Sequence, residues 1–295
     1  MLRRMSTHGD SQGQAQTSPS TTDDARAQAR EALLATFALL ALLAVLKPLG
    51  NVIPGGQEVV FFVAIAFQLY VPVVLLQRRG QTPEAIGIYV HGVVLGPLAA
   101  LRRRRVQAQR RRPRQQRGKI QTERALWLAS WARGASVNGP AARRELVRVA
   151  VLAAFFFPLF AVGMHLWQAL TSGPAAFRFR LPDDIVQLVI VNIALVAVAE
   201  EVFYRGYLER KLDGIWPSQR AFLGIPLTRT VWVASALFAL GHFLGEWNPA
   251  RLGPFFPALV FSGLTRQGGS LLGAILFHGL SNVFSAILVA GYVGS

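Results

Sequence analysis

Apolar stretches separated by short charged breaks repeat along most of this chain. The first covers residues 32–46 and stops at Lys47-Pro48. The second covers 59–76 and is followed by Arg78-Arg79, and a weaker one covers 85–101. Stretches at 149–170, 185–208, 231–244, 252–264 and 271–293 complete the series. A helix that crosses a bilayer takes about 20 apolar residues, and shorter runs must borrow flanking residues or tilt. The pattern predicts an all-α, polytopic transmembrane bundle of seven or eight membrane segments, with 85–101 as a re-entrant or interfacial piece.

Charge sets the expected orientation, because basic loops stay in the cytoplasm. Residues 102–119 hold ten Arg or Lys and no acid. Arg78 and Arg79 precede them, and Arg143, Arg144 and Arg148 follow. Arg210, Lys211 and Arg220 put the 209–220 loop on the same side, and Arg266 does so for the turn at 266–270. The N-terminus is then inside and the C-terminus outside. Four regions follow: a disordered cytoplasmic tail at 1–30, membrane helices at 31–101, a basic cytoplasmic or interfacial segment at 102–145, and a helical membrane core at 146–295. An arginine run can bind nucleic acid. Beside membrane spans the reading for 102–119 is contact with anionic lipid headgroups and no nucleic-acid partner. Residues 123–137, with Leu126, Trp127 and Trp131, suit an interfacial helix.

Composition agrees. Of 295 residues 52% are hydrophobic and 16% are charged, against about 25% charged in an average globular chain. That excludes a disordered protein. With no cysteine, disulfides, thiolate zinc sites and a thiol nucleophile are excluded too. The net charge is +16, and 28 of the 31 basic residues are arginine.

Ionisable groups inside apolar spans are costly unless paired or facing a cavity, so each is a functional candidate. Three clusters stand out. Glu200-Glu201-Val-Phe-Tyr-Arg205 closes the 185–208 helix. Glu201 and Arg205 are four apart and can pair on one face. Neighbouring residues point about 100° apart, so the two carboxylates are expected not to share a partner. Glu200 is then free to serve as a base. The second cluster is Phe238-Ala-Leu-Gly241-His242, whose glycine permits close helix approach. The third is His278-Gly-Leu-Ser-Asn282, with His and Asn on one face. His8, His91 and His165 lack such neighbours and carry no expected role.

At 1.5 Å per residue from the cytoplasmic ends, Glu200 lies roughly 15 Å deep, His242 about 18 Å, His278 about 12 Å and Asn282 about 18 Å. Independent structural residues have no reason to share a layer. A Glu and a His can hold and deprotonate a water, and a second His with an Asn can donate to an oxyanion. This inventory suits amide hydrolysis within the membrane. The same Glu and two His could instead ligate zinc from three separate helices.

The order EExxxR (200–205), FxxxH (238–242) and HxxxN (278–282), each in an apolar helix, resembles the CPBP family. That group contains CAAX prenyl endopeptidases and bacteriocin-processing or self-immunity proteins. Residues 255–285 also look like the family's last two helices, with Gly263 and the turn Arg266-Gln267-Gly268-Gly269-Ser270. The resemblance covers about 185–290. It implies an intramembrane endopeptidase of the glutamic type, a class formerly called metalloprotease. Glu200 is then the general base, His242 positions the water, and His278 with Asn282 stabilises the oxyanion. Glu201 and Arg205 support them. No cofactor is expected; if zinc is used, its ligands are Glu200, His242 and His278. The implied partner is a membrane protein or lipid-anchored protein substrate. The arginine-heavy composition suggests a bacterial inner membrane, and a myxosortase-like sorting enzyme acting on C-terminal anchors is one subgroup it resembles. The competing reading is a non-catalytic membrane binder such as a bacteriocin self-immunity factor. A proton-coupled transporter ranks below both, since no repeat symmetry is evident.

Overall fold

A computed structural model describes residues 21–81, 139–173, 176–216 and 228–292. Seven helices form among these residues: α1 (Thr21–Val52), α2 (Gly56–Arg78), α3 (Gly139–Ser172), α4 (Ile185–Asp213), α5 (Arg229–Glu246), α6 (Phe255–Gly268) and α7 (Leu272–Tyr292). No strand occurs among them. The all-α membrane bundle predicted from the apolar pattern is the fold observed. The pieces expected at 85–101, 102–119 and 123–137 lie outside the described residues, as do His8 and His91.

Five helices are long and apolar enough to cross a membrane: α1, α2, α3, α4 and α7. The remaining two expected spans do not qualify. α5 has 18 residues and is bounded by Arg229 and Glu246. α6 has 14, about 21 Å of helix, short of the roughly 30 Å hydrocarbon core. Both pack within the bundle, α5 against α1 and α6, and α6 against α7. Facing outward, Val151, Phe155, Leu159 and Val162 of α3 are each more than half exposed. An apolar face turned outward is stable in hydrocarbon but would aggregate in water.

Two expected boundaries shift. Residues 21–30, assigned to a disordered tail, form the first turns of α1. Asp23 and Asp24 in its first turn favour the helix N-terminus, and Ala29 and Ala32 are buried against the bundle. Glu31 ties this end to the end of α2 through Arg79, at 2.7 Å. That hydrogen bond holds the Arg79 guanidinium above its usual pKa. α3 starts at Gly139, so the border drawn at 145/146 falls inside a helix. Glu145 shows why the helix extends: its carboxylate accepts from Ser270 Oγ at 3.0 Å and from the Gly273 backbone N–H at 2.7 Å. A carboxylate on the first amides of α7 complements that helix's dipole and locks α3 to it.

The helix ends sort into two groups. At one end, Asp24 and Glu31 meet Arg79, Gln28 and Gln81 meet Lys211, Glu209 and Asp213 meet Arg266, and Glu145 meets Ser270. At the other, His165 Nδ1 lies 2.8 Å from the Tyr292 hydroxyl, and the Arg178 N–H donates to Gly291 O at 3.0 Å. His165, expected to carry no role, therefore joins the ends of α3 and α7.

Candidate active site

The two glutamates sit in one short α-helical stretch, Val198–Glu201, within α4. Segments with π-type bonding flank it on both sides, Val191–Ala197 and Val202–Leu208. Such i→i+5 bonding is rare and gathers at functional sites.

Glu201 is fully buried and Arg205 is 1% exposed. Arg205 Nη1 donates to Glu201 Oε1 at 3.1 Å, the pair foreseen from the spacing of four. Arg205 Nη2 also donates to the Ala258 carbonyl at 3.2 Å. Its guanidinium lies 4.7 Å from the Phe238 ring centre and 5.1 Å from that of Phe261. The arginine thus binds α4 to α5 and α6 through charge and ring faces together.

The same Glu201 oxygen receives a second bond. His278 Nδ1 lies 2.8 Å from Glu201 Oε1. A carboxylate can only accept, so Nδ1 carries the proton and Nε2 is left for other work. That second nitrogen lies 3.6 Å from Glu200 Oε2. The expectation that adjacent glutamates could not share a partner is therefore corrected. An imidazole has two nitrogens on different edges, and it lies between carboxylates that diverge, bonded to Glu201 and facing Glu200. The ring is held flat by stacking on Phe261, with centroids 4.6 Å apart and planes at 12°. Phe238 meets it edge-on at 5.8 Å.

Glu200 is the more open of the two acids, its side chain 18% exposed. Its Oε2 has no hydrogen-bond partner among the described residues. The separation from His278 Nε2 exceeds hydrogen-bonding distance, and both residues line the same cavity. His242 on α5 places Nδ1 3.1 Å from the Phe238 carbonyl. A carbonyl only accepts, so Nδ1 donates and Nε2 is the basic nitrogen of the neutral ring. At Gly241 a methyl would stand 3.4 Å from both Leu40 Cδ2 and the Tyr204 hydroxyl, an ordinary contact with α1 and α4.

All four expected core residues, Glu200, His242, His278 and Asn282, line one cavity of about 1980 Å³ between α2, α3, α4 and α7. Its apolar wall comes from residues such as Phe61, Phe157 and Phe160, while Gln68, Asn192 and Tyr204 add polar groups to the lining. Glu201 and Arg205 lie behind this wall. Among the described residues, no three His, Asp or Glu side chains converge in a geometry that would hold a metal ion.

Sequence reasoning missed two supporting groups. Glu209, buried one turn beyond Arg205, accepts from Ser262 Oγ and from Arg266 at 3.2 Å, and approaches Arg205 Nε at 3.8 Å. The spacing 201–205–209 was a signal for a continuous stripe on one helix face. Ser262 carried no signal, being one hydroxyl in an apolar helix. Gly279 is the second. A methyl there would lie 2.9 Å from the Ile193 Cα, so α7 meets the first π segment at backbone contact.

Residues 182–284 match a family model described as type II CAAX prenyl endopeptidase Rce1-like, over roughly a third of the chain. No curated protein and no solved structure matches the chain. The matched segment contains all three motifs, and it is the peptidase part of an integral membrane protein.

Proposed function

We propose that this chain, a member of the CPBP family of intramembrane proteases and a CAAX-type endopeptidase by its matched segment, cuts its membrane-protein substrate by glutamate-driven water attack. The observation that carries this reading is the Glu200 carboxylate on the shared cavity, whose buried and unpartnered Oε2 faces His278 Nε2 at 3.6 Å.

The chemistry runs as general base catalysis. Glu200 takes a proton from a water held beside His278 and His242. The resulting hydroxide attacks the scissile carbonyl carbon, whose oxygen becomes an oxyanion. Asn282 Nδ2 and a protonated His278 Nε2 donate hydrogen bonds to that oxygen. Glu200 then returns its proton to the leaving amine as the C–N bond breaks. Glu201, accepting from both Arg205 and His278, fixes the orientation of the imidazole. No step in this scheme needs a metal.

On the substrate, the reading is C-terminal processing or sorting of a membrane-anchored surface protein in a bacterial plasma membrane, with the basic 102–119 segment on anionic headgroups. The arginine-rich cytoplasmic charge supports the location.

The test compares membrane proteomes of cells carrying the wild-type chain and Glu200→Gln. Uncleaved precursors of one or more membrane proteins should accumulate with the variant, while the variant itself remains in the membrane. Unchanged processing with Glu200→Gln overturns the reading and leaves a non-catalytic binder.

A further inference from the structure

The cavity has a closed end and an open end, and charge identifies which compartment each one faces. Its floor lies at Glu200 and His278. Below them the bundle is solid: Phe203, Leu208, Leu212, Leu271 and Ala274 are fully buried, with the Arg205–Glu209 network among them. From the floor the cavity runs toward the turn between α1 and α2, where Gln57 and Glu58 on its lining are exposed. Gln187 near the start of α4 is exposed on the same rim. These positions are the helix ends opposite Arg79, Lys211 and Arg266.

The charges at the two ends differ strongly. Between Arg78 and Arg148 the sequence carries 17 Arg or Lys and three acids, all in the connection between α2 and α3 or at its flanks. At the open end the acids Glu58, Asp183, Asp184 and Glu246 balance the bases Lys47, Arg178, Arg180 and Arg251. Basic residues beside spans are retained in the cytoplasm, whereas acids contribute little. The closed end is the cytoplasmic one.

We propose that the catalytic cavity opens away from the cytoplasm, so that the bond it takes lies in the outer half of the bilayer or on the extracytoplasmic face of a membrane-anchored protein. That a bond is cut there rests on the peptidase reading; the direction of opening stands without it. A segment presented only in the cytoplasm would have to pass the packed layer beneath Glu200 to reach the site.

The chain has no cysteine, so single cysteines report their own accessibility. Three variants are compared in intact cells, permeabilised cells and detergent, using a charged membrane-impermeant maleimide. Glu58→Cys marks the rim, Ser285→Cys lies in the cavity wall, and Arg26→Cys marks the exposed start of α1. Glu58→Cys and Ser285→Cys should label in intact cells, and Arg26→Cys only after permeabilisation, with at least a tenfold rate contrast. Protection of Glu58→Cys or Ser285→Cys in intact cells, or labelling of Arg26→Cys there, overturns the proposal. None of these readouts depends on proteolysis, so a wrong orientation and a wrong activity are told apart: the first fails here, the second in the Glu200→Gln proteome.

Discussion

Glu201 Oε1 accepts from Arg205 at 3.1 Å and from His278 at 2.8 Å, so one buried oxygen joins the guanidinium of its own helix to the imidazole of α7. The acid that spacing assigned to a supporting ion pair also orients the ring facing Glu200. Removing its charge should therefore affect stability and chemistry separately. Glu201→Gln leaves Arg205 buried and unpaired on that side, a loss of about 3–5 kcal/mol, read as a lowered unfolding temperature in detergent. Adding Arg205→Met should restore much of the thermal stability. It should not restore cleavage, because the imidazole is still without its carboxylate. Recovery of both would show Glu201 to be structural alone.

Asn282 and His242 line the cavity without belonging to the buried ion-pair network. Losing an oxyanion donor costs on the order of 100- to 1000-fold in kcat. Asn282→Ala should show that fall with KM little changed, and His242→Ala a comparable fall through lost water positioning. Both proteins should unfold at nearly the wild-type temperature. A rise in KM at constant kcat for Asn282→Ala would move it from transition-state stabilisation to substrate binding.

Gly279 makes a prediction that no polar residue does. A methyl at this position would meet the Ile193 Cα at 2.9 Å, a backbone atom that cannot rotate away. Overpacking of this kind costs about 1–3 kcal/mol. Gly279→Ala should lower the unfolding temperature and shift His278 away from Glu200, so cleavage should fall although no reacting group has changed. Wild-type stability and activity together would show that α7 can move freely against α4.

Metal dependence is tested directly. Purified protein treated with a strong chelator and then dialysed should retain its cleavage rate within about twofold, as expected for general-base catalysis by side chains alone. Loss of activity that returns on adding Zn²⁺ would assign Glu200, His242 and His278 as ligands, since a zinc site needs at least three protein donors.

Much of this molecule could be read along the chain, for physical reasons. Lipid accepts only helices with their backbone bonds satisfied internally, so apolar runs between charges dictated an all-α bundle. The cost of charge in hydrocarbon made Glu200, Glu201, Arg205, His242, His278 and Asn282 stand out singly. The spacing of four made the Glu201–Arg205 pair predictable, because it is a local contact on one helix.

What only the tertiary structure decided is everything that depends on two helices meeting. The placing of His278 between adjacent glutamates needs the approach of α7 to α4, a contact between residues 77 apart in the chain that neither helix signals locally. The role of Glu209 depends on Ser262 and Arg266, more than fifty residues away. The status of α5 and α6 as short helices packed among longer ones follows from their neighbours, since hydropathy records how apolar a stretch is and not what covers it. The direction of the cavity is of the same kind: charge along the chain orients the helices, but only packing determines which end of the bundle is filled.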